Sequence, residues 1–478
     1  MNDLSLPTQF LERMSVMLGV EYDAFLDSYN NERSYGLRFN PLKINDGDMG
    51  RVLENQDIAK DSVAWCREGY YYNSDSCPGR SPYHEAGAYY IQEPSAMIVG
   101  EMISPKSGER ICDLCAAPGG KTTHIAGRMN GEGVLVANEI VPNRAEILSR
   151  NVERMGITNC IVTCESPDAL ADRLPGYFHK VCVDAPCSGE GMFRKDETAI
   201  TEWSPENVDR CVARQRDILE AASKLVCPGG RIVYSTCTFE ISEDEDMIRS
   251  FLEDHQDFEL EKEPLIDIEG SGIIISGIEN SENGVMLRAW PHKVRGEGHF
   301  AASIRRKGEY QIKDARDGDF RIKNAYKDDK LLQFLHTELS LKEYSHLFGR
   351  IQRGNLIERA GHIYLLPDGV DARLLKTMRV IRGGLCLAEY DGKRYKPDHA
   401  LAMSLIPGDI HNICDLTCKE AFAFFRGETI DVSEKGLSIP SGSWTLVCVD
   451  GISVGWGKIV GSTLKNHYPK GLRRNLEV

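Results

Sequence analysis

The stretch ERICDLCAAPGGKTTHIAGRM, residues 109–129, joins a short apolar run to a loop of small residues and then to an amphipathic segment. The run ERICDLCA predicts a buried strand, and GKTTHIAGRM predicts a helix that begins at the loop. Glycines in such a loop let the backbone approach a ligand, and the following helix offers unpaired N–H groups at its N-terminus. The stretch therefore predicts the first strand–loop–helix unit of an open α/β sheet, with a binding site at the loop.

The alternation of apolar runs and amphipathic segments continues beyond this unit. Four further runs predict strands and two longer segments predict helices: GVLVANE, NCIVTC, KVCVDAP and GGRIVYSTC for the strands, and NRAEILSRNVERMG and ENVDRCVARQRDILEAASKLV for the helices. The runs GVMLRAWPH and GHFAASIRRK predict an antiparallel hairpin at the edge of the sheet. Strands that alternate with helices in this way are typical of a Rossmann-like α/β fold with a mostly parallel sheet.

The chain has 478 residues, a length that predicts about two to four domains. Composition divides it into an N-terminal extension (1–75), the α/β domain (76–306), a linker with a small α+β module (307–378) and a small β-barrel (379–478). The barrel is predicted from short β-like runs such as WTLVCVD and ISVGWGKIVG. Trp456, His467 and Tyr468, interleaved with basic residues near the end of the chain, suggest a surface that contacts RNA.

Charge and composition restrict the class of protein. The formal net charge of −15 argues against a non-specific nucleic-acid coat, although one face can still be basic. Possible phosphate contacts are Arg194, Lys195, Arg305, Arg306 and Lys307. No apolar run is long enough to span a membrane and no signal peptide is evident, so we expect a cytoplasmic protein with free thiols and no membrane partner.

The loop and the strand ends that follow it suggest which ligand binds. The loop has neither the Walker A spacing nor the GxGxxG pattern, so a nucleoside triphosphate or a dinucleotide is poorly supported. Glu139 ends the second predicted strand, where a carboxylate can accept hydrogen bonds from both ribose hydroxyls of a nucleoside. After the third strand, in CESPDA, either Glu165 or Asp168 could face an adenine. S-adenosylmethionine, an adenosine with a charged methionine tail, fits these groups.

Two cysteines end strands of the same predicted sheet. Cys187 follows the strand KVCVDAP and Cys237 ends GGRIVYSTC. Because ligands bind at the carboxyl ends of parallel strands, both thiols should face the cofactor side. The other thirteen cysteines are better explained as small buried hydrophobic residues. Cys112 and Cys115 form a CxxC pair, but no second pair of suitable spacing accompanies it, so we predict no metal site.

Methylation of cytosine at C5 needs this combination of groups. The C5 carbon is a poor nucleophile until a thiolate adds to C6 and places electron density at C5. A base must later remove the C5 proton so that the thiol can leave. An acidic group such as Asp184, hydrogen-bonded at the N3 side, would favour the electron-rich adduct. Physical reasoning alone leaves open whether Cys187 or Cys237 is the nucleophile.

Five motifs, in order, resemble those of the Sun/RsmF-type RNA cytosine-C5 methyltransferases. They are RFNP, HEAGAYYIQEPSAM, DLCAAPGGKTT, VDAPCSGEGMFRKD and YSTCTF, and the length, the RAWPHKVRGEGHF hairpin and the NHYPKGL terminus are also similar. The resemblance covers the whole chain. It implies a class I S-adenosylmethionine-dependent methyltransferase fold with an RNA-binding N-terminal extension and a PUA-like RNA-binding C-terminal barrel. The implied substrate is small-subunit (16S) ribosomal RNA, free or within the subunit or its precursor.

The resemblance also implies roles for individual residues. Cys237 would be the nucleophile, as its Thr-Cys motif suggests, and Cys187 would assist release of the methylated base. The donor and the target base would be held by Cys115, Ala116, Ala117, Pro118, Gly119, Gly120, Lys121, Glu139 and Asp184. The family carries an acid after the third strand, a position that Glu165 or Asp168 could fill.

Alternative functions remain at this point. The same chemistry could act on transfer RNA, or the chain could be a non-catalytic RNA-binding scaffold. A scaffold, however, has no need of two thiols at the strand ends. A methyltransferase for small molecules or proteins could use the same fold, but the additional C-terminal units favour a large substrate.

Overall fold

The computed structural model describes residues 6–261, 274–276, 286–309, 329–343, 345, 347–352 and 355–474. Within the segment 307–378, predicted as a linker and a small module, residues 310–328, 344, 346, 353 and 354 lie outside these described residues. Within them, no helix combines the length and the apolar character that a membrane crossing requires.

The N-terminal unit joins short helices to a three-stranded antiparallel sheet. Strand β1 lies between β2 and β3. The elements are α1 (Thr8–Leu18), α2 (Tyr22–Ser28), β1 (Tyr35–Phe39), α3 (Asp46–Asn55), β2 (Gly69–Tyr72), α4 (Pro82–Glu85) and β3 (Tyr89–Ile91). Because β3 pairs with β1, the boundary predicted between residues 75 and 76 divides this unit.

The second unit is an α/β layer structure that follows the predicted alternation of strands and helices. Its elements are α5 (Met97–Ile103), β4 (Arg110–Asp113), α6 (Gly120–Met129), β5 (Val134–Asn138), α7 (Pro142–Arg154), β6 (Cys160–Thr163), α8 (Pro167–Arg173), β7 (Phe178–Asp184), α9 (Glu197–Glu202), α10 (Pro205–Leu225), β8 (Val226–Thr236), α11 (Glu245–Asp254), β9 (Phe258–Leu260), β10 (Ile274–Ser276), β11 (Met286–Ala289) and β12 (His299–Arg306).

The central sheet of this unit is mostly parallel, as predicted. Strands β8, β7, β4, β5 and β6 are neighbours in that order and run parallel. The predicted hairpin of β11 and β12 is present and pairs antiparallel with β8, while β10 lies beyond it. The carboxyl ends of the parallel strands therefore form one edge, at which ligands of open α/β sheets bind.

Both faces of the sheet are covered, which explains why its strands are almost uniformly apolar. In β5, Val134 and Val136 contribute to the apolar core on one face, and Leu135 and Ala137 to the core on the other. This alternation follows from the two-residue period of a strand. The edge of the sheet is thus fixed by two cores, and the loops that follow it are held rigidly.

The third unit contains a four-stranded sheet in the order β13-β14-β16-β17. Its elements are α12 (Asp329–Gln333), α13 (Phe348–Gln352), β13 (Leu356–Arg359), β14 (His362–Leu365), α14 (Ala372–Leu375), β15 (Val380–Arg382), β16 (Leu385–Tyr390), β17 (Tyr395–Pro397) and α15 (His399–Ser404). Strand β15 leaves this unit and pairs antiparallel with β6 at the edge of the central sheet.

The boundary predicted between residues 378 and 379 divides this third unit. Strands β16 and β17 lie after that boundary in sequence, yet they pair with β14 and complete its sheet. Composition does not predict this pairing, because the paired strands β14 and β16 are separated in sequence. We therefore propose a boundary between residues 405 and 411.

The last unit is a five-stranded sheet in the order β18-β20-β21-β22-β19. Its elements are β18 (Ile413–Leu416), α16 (Cys418–Arg426), β19 (Ile430–Asp431), β20 (Trp444–Val449), β21 (Ile452–Val460) and β22 (Thr463–Asn466). Trp456 is 2% exposed and Tyr468 5% exposed. The expectation that these two rings contact RNA is wrong, because both are part of the interior.

The first and last units pack against each other. Leu37 and Phe39 of the N-terminal sheet share one apolar core with Phe424 and Val447 of the last unit. Lys43 crosses this junction, where its Nζ donates to the carbonyl oxygen of Ser453 at 3.2 Å. The first and last units are therefore joined by an apolar core and by a hydrogen bond.

Candidate active site

The glycine-containing loop between β4 and α6 is held by the helix that follows the next strand. Arg144 of α7 donates to the carbonyl oxygen of Ala117 at 2.9 Å, and Asn151 donates to that of Pro118 at 2.9 Å. Gly119 has φ +117°, a conformation that favours glycine, and it precedes the first turn of α6. The loop predicted to bind the donor is thus a fixed backbone turn at a helix N-terminus.

Asp113, at the end of β4, lies beneath this loop and is fully buried. Thr122 Oγ1 donates to Asp113 Oδ2 at 2.6 Å, while Asp113 Oδ1 has no partner in the described part of the chain. Burial raises the pKa of the Asp113 carboxyl to about 7, against the hydrogen bond from Thr122, which lowers it. A buried carboxylate oxygen without a partner is a candidate contact for a cationic or N–H-bearing ligand.

The side-chain amide of Asn138 joins the ends of strands β4, β5 and β6. Asn138 Nδ2 donates to the carbonyl oxygen of Leu114 at 3.3 Å and to that of Glu165 at 3.0 Å. Asn138 Oδ1 accepts from Thr163 Oγ1 at 2.8 Å. This side chain fixes the ends of β4, β5 and β6 relative to one another, and the sequence pattern gave no indication of it.

The acids predicted to face the nucleoside differ in their placement. Glu139 is 3% exposed, and its Oε1 accepts from the Val141 N–H at 2.9 Å. Glu165 is half-buried next to Asn138, whereas Asp168 is exposed in the first turn of α8. The geometry therefore favours Glu165 over Asp168 as the acid near the cofactor loop, and the role itself stays a prediction.

Lys121 and Asp184 form an ion pair between the cofactor loop and the end of β7. Lys121 Nζ lies 2.6 Å from Asp184 Oδ2, and Ser235 Oγ donates to Asp184 Oδ1 at 3.0 Å. Burial opposes ionisation of both groups, but their mutual attraction prevails: the pKa of Asp184 is lowered and that of Lys121 is raised. Asp184 is thus ionised and can only accept hydrogen bonds.

His299 also lies at this pair, and the sequence pattern did not indicate it. Its Nε2 is 3.9 Å from Asp184 Oδ1 and has no hydrogen-bond partner among the described residues. Burial, followed by the positive charge of Lys121, lowers the pKa of His299 to about 3. The ring is therefore neutral and leaves Lys121 as the positive group at this position.

The structure brings the two predicted thiols together. Cys187 Sγ and Cys237 Sγ lie 3.4 Å apart at the ends of the adjacent parallel strands β7 and β8. The hydrogen bond between the thiols lowers the pKa of Cys237, against burial, which raises it. The same hydrogen bond, then burial and the nearby Glu243, raises the pKa of Cys187. Cys237 is accordingly the better thiolate and Cys187 the better proton donor.

Two buried polar residues, Glu243 and Gln215, hold the loop that carries Cys187. Glu243 Oε2 accepts from the Ser188 N–H at 3.0 Å and from Gln215 Nε2 at 2.7 Å. Gln215 Nε2 also donates to the carbonyl oxygen of Pro186 at 3.1 Å. The residues on both sides of Cys187 are therefore fixed through Glu243 and Gln215, which no local motif predicts.

The basic residues predicted to contact phosphates are mostly engaged within the protein. Arg194 is buried, and its Nε donates to Glu297 Oε2 at 2.7 Å, so its prediction as a surface phosphate contact is wrong. Arg306 pairs with Asp257 at 3.0 Å, and Lys307 Nζ donates to a backbone carbonyl. Arg305 is exposed, as a phosphate contact requires.

Within the described residues, potential metal ligands are grouped at two places, and neither group includes Cys187 or Cys237. One group contains Cys66, Glu101 and His124 and the other His362, Cys386 and Asp398. In the first, Arg128 donates to the same Glu101 oxygen that lies 3.0 Å from His124 Nε2. The sequence did not indicate either group, because each is assembled from distant segments.

Four family models match successive parts of the chain. They describe the N-terminal domain of 16S rRNA methyltransferase RsmF over residues 6–94, and 16S rRNA methyltransferase RsmB/F over residues 101–305. The other two describe the RsmF rRNA methyltransferase first C-terminal domain over residues 340–405 and the methyltransferase RsmF PUA domain over residues 411–474.

Individual proteins give the same result. A ribosomal RNA small subunit methyltransferase F from Escherichia coli O17:K52:H18 is 32% identical over 98% of this chain and 96% of its own. One from Erwinia tasmaniensis is 30% identical over 98% of this chain and 97% of its own.

Solved structures from Pyrococcus horikoshii share the fold. A methyltransferase homolog protein has a TM-score of 0.55 and 28% identity, over 63% of this chain and 96% of that chain. NSun6 with SFG has a TM-score of 0.54 and 20% identity, over 63% of this chain and 99% of that chain.

Fold and site together define a class I S-adenosylmethionine-dependent RNA methyltransferase with a C-terminal PUA-like module. Within that class, the chain belongs to the RsmF-type Sun family of 16S rRNA methyltransferases. The family membership that the five sequence motifs predicted is thereby confirmed.

Proposed function

We propose that this enzyme methylates C5 of a cytosine in 16S ribosomal RNA through a covalent bond between Cys237 and C6 of the base. The observation that carries the proposal is the separation of 3.4 Å between Cys187 Sγ and Cys237 Sγ at the cofactor edge of the sheet. Methyl transfer to an oxygen or nitrogen atom needs no thiol pair, whereas C5 methylation needs a nucleophile and a group that assists release. The enzyme would act in the cytoplasm, where ribosomal RNA is found.

The donor pocket fits S-adenosylmethionine. The backbone from Cys115 to Lys121 would hold the methionine part, since it offers a rigid turn and the N-terminus of α6. Glu139 and Glu165 would bind the ribose and the adenine, and the buried, unpartnered Asp113 Oδ1 offers a further acceptor. When bound, S-adenosylmethionine supplies the methyl group.

The chain's own residues divide the remaining chemistry. Cys237, with its lowered pKa, would add to C6 of the cytosine as the thiolate. Because Asp184 is ionised, it would accept a hydrogen bond from the exocyclic amino group, and Lys121 would be the donor toward N3. The electron-rich ring would thus be stabilised by groups already in place before the substrate binds.

Release of the product involves the second thiol. Cys187, with its raised pKa, remains protonated beside the sulfur that must leave C6. Its proton would pass to the departing Cys237 sulfur, and the Cys187 thiolate formed in this way would take the C5 proton, which restores the aromatic ring and the Cys187 thiol. The opposite pKa shifts of the two thiols support this division of roles.

Bisulfite mapping of ribosomal and transfer RNA, from cells with and without the gene, tests this function. We expect one or more 5-methylcytosines to disappear from 16S rRNA and to return when the purified enzyme and the donor are added. Loss of methylation only from transfer RNA would contradict the proposed substrate, and an unchanged pattern in both would contradict the reaction.

A further inference from the structure

A cavity of about 230 Å³ lies where the N-terminal unit meets the α/β unit. Its walls come from the segment before β1, the turn after β2 and the segment before β12. They include Arg33, Tyr35, Tyr72, Arg194 and Arg295. None of the residues assigned above to the donor or to the thiols lines it.

Two tyrosine rings in this cavity form a stacking surface. The rings of Tyr35 and Tyr72 lie 5.6 Å apart with 37° between their planes, and both are half-buried. Arg33 lies over the Tyr35 ring at 5.5 Å from its centre. Half-buried aromatic rings next to guanidinium groups are the elements with which proteins hold unpaired bases.

Three arginines and one acidic residue, Glu32, line the cavity beside these rings. Arg33 has no ion pair within the described residues, and Arg295 is exposed, pairs with Asp61 and stacks on Tyr71 at 3.9 Å. Arg194 contributes less charge because Glu297 neutralises it. Arg33 and Arg295 are therefore the groups that can meet a phosphate at the mouth of the cavity.

One wall of the cavity belongs to a loop that contacts the backbone of Cys237. Arg194 belongs to the loop that follows Cys187, and the Gly191 N–H of that loop donates to the carbonyl oxygen of Cys237 at 2.8 Å. Gly191 and Arg194 are three residues apart, which limits the backbone distance between them to about 11 Å. This limit keeps the cavity close to Cys237, so a nucleotide next to a cytosine bound there is the candidate occupant of the cavity.

We propose that this cavity binds a nucleotide adjacent to the target cytosine, in single-stranded RNA. The base of that nucleotide stacks on Tyr35 and Tyr72, and its phosphate meets Arg33 or Arg295. The position of the nucleotide next to the target cytosine rests on the proposed function. The binding of an unpaired nucleotide rests on the cavity alone.

The test combines Tyr72→Ala with the removal of a base from the RNA. The substrate is a single-stranded adenosine decamer with one central cytosine, and each nucleotide next to the cytosine is replaced in turn by an abasic one. In the wild type, one of these replacements should raise KM and Kd about five-fold or more, as loss of a stacked base does. Tyr72→Ala should raise both constants similarly, leave kcat at saturating RNA unchanged, and abolish the additional effect of that abasic position.

Tyr390→Ala is the matched control, because Tyr390 is a half-buried tyrosine of the third unit that stacks on Tyr395. It should keep the full abasic effect. Arg33→Gln should weaken binding of every decamer and reduce its salt dependence, whereas Arg67→Gln, at an exposed arginine of the same unit, should not.

The outcomes separate this proposal from the proposed function. If the effects of Tyr72→Ala and of each abasic position simply add, in Kd as well as in KM, the cavity does not hold a neighbouring base. If Kd shows the coupling but 16S rRNA incubated with the enzyme and S-adenosylmethionine gains no 5-methylcytosine, the cavity is supported and the cytosine reaction is contradicted.

Discussion

The sulfur atoms of Cys187 and Cys237 lie 3.4 Å apart, although fifty residues separate them in sequence. The adjacent strands β7 and β8 bring them together, and Glu243 fixes the loop after the first of them. The hydrogen bond between the two thiols lowers the pKa of Cys237 and raises that of Cys187. Each thiol can therefore be tested separately.

Removal of each thiol should stop the reaction at a different step. Cys237→Ala should abolish both turnover of ordinary RNA and covalent trapping on RNA that contains 5-fluorocytosine, because no nucleophile remains. With ordinary RNA, Cys187→Ala should accumulate a protein–RNA adduct, because release is impaired. Denaturing electrophoresis of labelled RNA measures both adducts, and the reverse pattern would assign the nucleophile to Cys187.

The pH at which Cys237 reacts should depend on Cys187. In the wild type, alkylation of Cys237 should reach half its maximal rate below pH 8.5, about the pKa of an ordinary thiol. Cys187→Ala removes the hydrogen bond that favours the thiolate, so the half-maximal pH should rise. Peptide-resolved mass spectrometry after brief iodoacetamide treatment measures this value.

Cys187→Ser is the control for that experiment, since its hydroxyl can still donate to the Cys237 sulfur. It should produce a smaller rise than Cys187→Ala. An equal half-maximal pH in the wild type and both variants would show that the neighbouring thiol does not tune the nucleophile.

Glu243 should act by positioning the loop that carries Cys187. Glu243→Ala leaves the buried Ser188 N–H and Gln215 amide without their acceptor, a loss of about 1–3 kcal/mol in the free energy of unfolding. The rate of adduct formation should fall as well, while the affinity for S-adenosylhomocysteine should stay unchanged. Urea unfolding, trapping kinetics and calorimetry measure these quantities.

Glu243→Gln keeps one acceptor oxygen and should restore most of the stability and the trapping rate. The exposed Glu253 on α11 provides the comparison, and Glu253→Ala should change neither. A trapping rate in Glu243→Ala equal to that of the wild type would show that Glu243 does not position the loop that carries Cys187.

Lys121 and Asp184 should contribute to the reaction as a pair. Asp184→Asn and Lys121→Met should each lower kcat by about 10²-fold or more, because a preorganised charge at the target base is lost. The double variant should be little worse than either single one, since the charges act together. Single-turnover methylation of RNA gives these rates, and Lys106→Met, at an exposed lysine, is the control. If each substitution lowered kcat independently, so that the two effects multiplied in the double variant, a joint role would be contradicted.

The sequence predicted the parts of the fold and site that depend on local patterns. The strand–loop–helix of residues 109–129 and the thiols at two strand ends could be predicted because apolar periodicity locates strand ends. The Glu243–Gln215 network and His299 could not, because their contacts join residues far apart in sequence. Trp456 was wrongly predicted to contact RNA, because composition does not show which face of a small sheet is covered.

Strand β15 has a consequence for any attempt to isolate the methyltransferase core. It covers the outer strand of the central sheet, where the Cys164 N–H donates to the carbonyl oxygen of Arg379 at 2.9 Å and the Arg379 N–H donates to Glu165. A fragment that stopped after residue 306 would expose β6 as an unprotected template for intermolecular pairing, and would release Glu165 from its support. The C-terminal part of the chain thus completes the enzyme's own scaffold, and a minimal soluble version must supply residues 379–382 or a substitute for them.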